Sequence, residues 1–341
     1  MKKQEKEERF SAQLASTLIY HQKMLADGVR NKLLFEAIKR HVTSETAFLD
    51  IGAGTGVWAI LAAKLGAKRV VAIEIEECLI PLIFRHAQEN GVADKIEIVH
   101  GNSDDVKIRG KFDLIVSELF GQDAIGERTI KSFVSLRNRF LKPDGVLIPQ
   151  KMSMLAAPVH FEDSARNLPA ELPISSDFLK SLRLNYPWNA LLHDRQKVRF
   201  LSEPKQLVEI DFRTVETAPD LKSTSLSWQI DNLRQANAIA VFNCSTFADG
   251  IEMNNFDSQS WGASIYEFQP FDREAGEIRF DLKADEKKAI WSVSLLSENG
   301  AETKTYSPAF AVTRVRMAQQ MTPHRRFRPP KSIKKGKKSS D

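Results

Sequence analysis

The feature that most constrains this chain is a single run, Phe48-Leu49-Asp50-Ile51-Gly52-Ala53-Gly54-Thr55-Gly56. An apolar stretch ends near Asp50, and three glycines at alternate positions then lead into a helical pattern. Glycine tolerates positive φ and lets a ligand come close to the backbone, so such a turn between a strand and a helix suits a phosphate or nucleoside. A second apolar stretch, Arg69–Glu74, ends on a carboxylate 24 residues beyond Asp50. An acid at the tip of the second strand accepts the two hydroxyls of a ribose. Turn and acid together specify a parallel α/β sheet that binds a nucleoside cofactor.

The surrounding periodicity agrees. Strands are expected at Thr46–Ile51, Arg69–Glu74, Ile96–Val99, Phe112–Ser117 and Val146–Ile148, and helices at Val57–Leu65, Leu79–Glu89 and Thr129–Leu141. Strands that alternate with helices imply a doubly wound sheet covered on both faces. Ala12–Met24 and Lys32–Arg40 read as helices ahead of the sheet. Beyond Pro149 the period changes to two: Leu226, Trp228 and Ile230, then Ile278, Phe280 and Leu282, then Trp291, Val293 and Leu295 alternate with polar residues. That pattern marks half-buried antiparallel strands in a barrel or sandwich. Asp177–Leu184 is a further candidate helix. The expected organisation is a helical segment over 1–44, a cofactor-binding domain over 45–149, an antiparallel domain over 150–315 and a basic, disordered tail over 316–341.

Charge and cysteine usage narrow the class. Of 341 residues, 42% are hydrophobic and 27% charged, as in soluble globular proteins. No apolar run reaches the roughly 18 residues of a membrane span, so no membrane partner is expected. Cys78 and Cys244 are the only cysteines, which argues against a zinc site or a disulfide framework and suits the cytoplasm. The last twenty residues hold eight Lys/Arg and one Asp, a net of +7, so the rest of the chain, against a total of +5, carries −2. The tail is a solubilising extension or a loose contact for polyanions.

A buried-looking strand, Phe112–Ser117, is followed at once by Ser117-Glu118-Leu119-Phe120-Gly121-Gln122-Asp123-Ala124-Ile125-Gly126-Glu127. Two carboxylates nine residues apart, at the end of the fourth strand, form either a solvated acidic loop or a cation site. The glycine turn with Glu74 resembles class I S-adenosylmethionine-dependent methyltransferases, in which the end of the third strand, here Ser103 and Asp104, meets the adenine ring. The Pro-Pro-aromatic motif of enzymes that methylate base amines is missing after the fourth strand. The glutamate spacing instead resembles the double-E loop of protein arginine methyltransferases, and "SELF…IGE" is especially similar to the monomethylating branch.

That resemblance covers about Tyr20 to Leu296 and implies a Rossmann-like domain of the seven-stranded type, an antiparallel β-barrel, S-adenosyl-L-methionine as cofactor and a homodimer. It implies that Glu118 and Glu127 are catalytic and clamp the guanidinium of an arginine, in a protein or peptide or as the free amino acid. A guanidinium is planar, with five N–H donors, and two carboxylates fix its plane and draw its positive charge toward two nitrogens. It further implies cofactor contacts from His21, Arg30, Asp50, Gly52, Gly54, Glu74, Ser103 and Asp104, with Arg30 on the cofactor's carboxylate. Met24 and Trp261 would face the substrate, and Asp27 would orient a partner or relay a proton. The family's Thr-His-Trp loop corresponds here to Gln259-Ser260-Trp261. Leu172–Leu192 would be the dimerisation arm. The rival functions are a small-guanidine methyltransferase, a nucleic-acid methyltransferase that uses the basic tail, and a non-catalytic binding module.

Overall fold

The computed structural model describes residues 2–118, 129–162, 172–194, 196–217, 221–284, 289–297 and 300–321. Two helices come first, α1 (Lys2–Ala26) and α2 (Gly28–His41). The α/β unit follows as β1 (Ala47–Ile51), α3 (Val57–Lys64), β2 (Arg69–Glu74), α4 (Ile80–Glu89), β3 (Ile96–His100), β4 (Phe112–Ser117), α5 (Thr129–Phe140) and β5 (Leu141–Ile148). Its five described strands are all parallel, in the order β3-β2-β1-β4-β5.

Strand β1 is central, and its alternate residues go to opposite faces. Leu49 and Ile51 join Val71, Ile73 and Ile115 against Phe133, Leu136 and Phe140 of α5. Phe48 joins Val70, Ala72, Leu114 and Val116 against Leu34 and Ile38 of α2, Ala59 and Ala63 of α3 and Ile83 of α4. Apolar residues on both faces of β1 are thus explained by helices on both sides. Because the connections from β1 run to β2 on one side and β4 lies on the other, the carboxyl ends of these strands open the crevice in which such sheets bind ligands.

From Ile148 the chain passes through a cis Ile148–Pro149 bond into the antiparallel part. There, β6 (Lys151–Phe161), β7 (Trp188–Ala190), β8 (Val198–Phe200), β9 (Lys205–Asp211), β11 (Ala238–Ala248), β12 (Ile251–Asn254) and β13 (Ala263–Glu267) make one sheet. A second sheet holds β10 (Leu221–Ile230), β14 (Gly276–Ala284), β15 (Ala289–Ser297) and β16 (Gly300–Tyr306), in the order β10-β14-β15-β16. The inward set of the second sheet, Trp228, Ile278, Phe280, Trp291 and Val293, is fully buried and continuous with the α5 side of the α/β core. Arg137 of α5 ties the two parts further, donating to the carbonyls of Phe212, Arg213 and Val215 and pairing with Glu216. Helices α6 (Asp177–Arg183) and α7 (Pro308–Met321) lie against each other outside the sheets.

Three elements differ from expectation. Helix α1 begins at Lys2, ten residues earlier than the apolar pattern, because Lys, Glu and Gln favour helix without leaving an apolar stripe. Strand β5 starts at Leu141, and its bulge between Leu141 and Val146 absorbs the Lys142-Pro143-Asp144-Gly145 stretch that reads as a turn. Residues 316–321, expected in the tail, continue α7, whose proline sits at its first position as helices favour. The tail beyond Met321 lies outside the described residues. No described helix is long and apolar enough to cross a membrane.

Candidate active site

The site forms where the glycine turn, the ends of β2 and β4 and the α1–α2 junction converge. Gly52, Gly54 and Gly56 have φ of 70°, 57° and 77°, a left-handed conformation that side chains rarely adopt. At Gly54 an added Cβ would lie 2.5 Å from Cε1 of His21, so helix α1 closes directly over the turn. Glu74 is 5% exposed, and its two oxygens accept the N–H groups of Gly54 (2.7 Å) and Glu76 (2.9 Å). Its carboxylate is therefore locked to the turn, and each oxygen keeps a lone pair for a further donor. Asp50 lies beneath, accepting the Ala59 N–H at 3.0 Å at the start of α3. Burial, with the nearby charges of Glu118 and Glu74, pushes its carboxyl up to about 8. Burial first, with the charge of Arg30, holds His21 below its ordinary value, against the pull of Glu74 and Glu118.

Glu118 stands at the end of β4 and meets a guanidinium of the chain itself. Nε of Arg30 donates to its Oε1 at 2.8 Å, and Nη2 of Arg30 donates to its Oε2. The two side chains are only 4% and 8% exposed. The other Arg30 nitrogen, Nη1, donates to the Met24 carbonyl (3.1 Å) and to Asn31 (2.6 Å). Trp58 adds a third hold, its indole N–H donating to Oε2 of Glu118 at 2.8 Å. A buried ion pair is retained only where such additional bonds satisfy it.

Asp27, fully buried, caps α2 by accepting the Arg30 N–H at 3.1 Å. Its other oxygen accepts from the Ser258 and Ser260 hydroxyls and the Gln259 and Ser260 N–H groups, at 2.6–3.0 Å. Burial opposes its ionisation, but these bonds hold its carboxyl below the usual carboxylate range. Asp27 therefore ties the start of α2 to the Ser258–Trp261 loop. Trp261, half-buried, donates its N–H to Ser258 and stacks edge-on with Phe247.

The structure thus gathers His21, Met24, Arg30, Asp50, Gly54, Glu74 and Glu118, and ties Trp261 to them through Asp27. Ser103 and Asp104 follow β3, where Asp104 is exposed and its N–H is held by Asn102 at 2.9 Å. Glu127 lies outside the described residues. The sequence reading misses three residues. Trp58 sits in a helix apolar on every side, so it reads as core. Ser258 carries no motif. Arg139 of α5 donates to the carbonyls of Ser103 and Val106 and so fixes the loop after β3. Among the described residues no cluster of metal-ligating side chains occurs.

The model of the ribosomal protein L11 methyltransferase (PrmA) family matches residues 31–150. Among characterised relatives, protein arginine N-methyltransferase PRMT10 of Oryza sativa subsp. japonica is 35% identical over 185 residues, 52% of this chain and 45% of that protein. Probable protein arginine N-methyltransferase 6 of Arabidopsis thaliana is 32% identical over 145 residues, 42% of this chain and 33% of that protein. The chain thus spans about half or less of the length of these relatives. Two solved structures share the fold at 20% identity. One is the Trypanosoma brucei PRMT1 enzyme-prozyme heterotetrameric complex with AdoHcy, with a TM-score of 0.70 over 84% of this chain and 96% of that one. The other is Arabidopsis thaliana protein arginine methyltransferase 10, with a TM-score of 0.69 over 86% and 99%. In sequence over about half of the chain, and in the architecture of a parallel α/β unit followed by antiparallel sheets, the chain is similar to protein arginine N-methyltransferases.

Proposed function

We propose that this protein transfers a methyl group from S-adenosyl-L-methionine to a guanidinium nitrogen of arginine in a protein or peptide. The observation that carries this is Glu118 at the end of β4, which already binds a guanidinium in two-pronged fashion in a cleft lined by the carboxylates of Asp50 and Glu74. The named relatives are arginine methyltransferases, and one structural neighbour is a complex with AdoHcy, which supports the same cofactor here.

The residues present suit that cofactor. The left-handed glycine turn presents bare backbone, and Glu74 offers acceptors for ribose hydroxyls. Arg30 would be the cation for the cofactor's carboxylate, and Ser103, whose carbonyl accepts from Arg139, and Asp104 would meet the adenine. When bound, S-adenosyl-L-methionine supplies an electrophilic methyl group on a sulfonium. The protein's own part is electrostatic and geometric. Glu118, with Glu127, takes N–H donors from two guanidinium nitrogens and concentrates positive charge there, which leaves the third nitrogen its lone pair. Once Arg30 turns to the cofactor's carboxylate, Glu118 is released to the incoming guanidinium.

The likeness of Ser117–Glu127 to the monomethylating branch supports a product with one methyl group. We further propose a homodimer. Leu172, Ile174, Phe178 and Leu179 expose apolar surface on and before α6, and Ile19 and Phe84 do so on α1 and α4; joining such patches between two copies gives a closed, two-fold contact. The proposed setting is the cytoplasm, where the thiols of Cys78 and Cys244 stay free. Mass spectrometry after incubation with labelled cofactor and arginine-rich peptide, free arginine, lysine peptide or RNA tests the activity. Label on arginine peptide alone is the expected result. Label on free arginine or RNA, and none on the peptide, overturns the reading.

A further inference from the structure

Trp58 is the second residue of α3, two positions past Gly56 of the glycine turn, and is 6% exposed. Its indole N–H reaches Oε2 of Glu118 at 2.8 Å, and its ring lies 5.9 Å from the guanidinium carbon of Arg30. An ionised carboxylate offers about four acceptor sites. Arg30 uses one on each oxygen and Trp58 uses a second on Oε2, so among the described residues one site on Oε1 is left unused.

The two donors differ in kind. Arg30 neutralises Glu118 and belongs to a side chain with a second destination, the cofactor's carboxylate. The indole is uncharged, donates only, and is fixed by a buried ring at the start of a helix. It leaves the carboxylate's charge available to another cation. Without it, a Glu118 deserted by Arg30 would be free to rotate about its side-chain bonds, and a guanidinium would meet a carboxylate of undefined plane.

We propose that Trp58 is a positioning residue for Glu118, its indole N–H holding Oε2 in place while the guanidinium on that carboxylate changes from that of Arg30 to that of the acceptor. This rests on the arginine-transfer reading above. The competing view is that Trp58 is a core residue for which Glu118 merely satisfies a buried N–H.

The test combines a spectroscopic and a kinetic measurement on the full chain. In protein labelled with ¹⁵N-indole tryptophan, the Trp58 cross-peak is assigned by its loss in Trp58→Phe. It should move in Glu118→Gln, and should stay protected from solvent exchange when S-adenosylhomocysteine and L-arginine are both added. Trp58→Phe keeps an aromatic ring and removes the donor. With an arginine-rich peptide its kcat should fall about 10–100-fold, the scale for a hydrogen bond to a charged group, and its KM for the cofactor should change less than about twofold. If none of the five indole cross-peaks moves in Glu118→Gln, the proposal is overturned without requiring any Trp58 variant to fold. Wild-type kcat in Trp58→Phe overturns the positioning role alone. Absence of methyl transfer to arginine by the wild-type protein overturns the reading on which it rests.

Discussion

Arg30 and Glu118, 88 residues apart in the chain, meet as a buried two-pronged ion pair at the mouth of the cofactor cleft. On the proposed function, the carboxylate that would take the acceptor guanidinium is held by one of the protein's own arginines until Arg30 is drawn elsewhere. The first expectation is an order of binding. Calorimetry of the cofactor-free protein with an arginine-rich peptide should show little heat, and micromolar to millimolar binding should appear once S-adenosylhomocysteine is present. Equal affinity with and without it would show that Arg30 does not block the site.

Replacing Glu118 by Gln keeps its shape and removes its charge. Turnover should fall roughly 10²–10³-fold, the scale for one preorganised electrostatic contact. The same change leaves Arg30 buried with no full counter-charge, so unfolding should also become easier by about 3–5 kcal/mol. Single-turnover assays and thermal melts of the same variant separate the two effects.

On the proposed function, Glu74 has a double role that a substitution can dissect. Glu74→Gln retains one acceptor for the glycine turn and loses charge-assisted bonding to the ribose. Cofactor affinity should weaken by about 1.5–3 kcal/mol. Glu74→Ala also frees the N–H groups of Gly54 and Glu76, so it should cost more than Gln in affinity and in melting temperature. Unchanged affinity in a folded Glu74→Gln would remove the ribose role.

Asp50 makes stability depend on pH in the direction opposite to most carboxylates. Its folded value, raised to about 8, exceeds the ordinary 3.8. Between these limits the native state holds a proton that the unfolded state has lost. The contribution is fully present below pH 3.8 and disappears as pH rises through about 8, with a slope of at most about 1.4 kcal/mol per pH unit. Asp50→Asn should flatten that slope. Denaturant titrations from pH 5 to 8 would measure it, and parallel curves for the two proteins would contradict the assignment.

Asp27→Ala removes the acceptor shared by α2 and the Ser258–Ser260 loop, leaving buried donors unsatisfied. A loss of about 2–4 kcal/mol is expected. Because the folded value of Asp27 is lowered, its contribution is complete above pH 3.8 and is lost as pH falls through the native value. The wild-type protein should show this acid-side loss, and the variant should lack it.

The sheet was legible because β1, β2 and β4 are apolar at nearly every position and each ends at a glycine turn or an acid, a pattern that only a doubly covered parallel strand explains. The antiparallel strands showed through period two. The first turns of α1 were not legible, since a helix held by propensity alone leaves no stripe, and the start of β5 hid inside a bulge that reads as a turn. In the site, Glu74 and Glu118 could be placed from strand ends. Trp58 could not, because α3 is apolar on all sides and a tryptophan there is indistinguishable from core. The meeting of Arg30 with Glu118 is a product of tertiary closure across 88 residues, and no local pattern encodes it.

Asp27 sits between two parts of the molecule and, among the described residues, is gripped only by hydroxyls and peptide N–H groups. None of these donors titrates in a cell's range of acidity, so the clasp is indifferent to neutral pH. It is also all-or-none: four donors converge on one oxygen, and the helix cannot slide away from one without abandoning the others. The start of α2 and the Trp261 loop are thus tied at a single carboxylate. A shift at the start of α2 must therefore carry the Ser258–Trp261 loop along with it or break all four bonds at once.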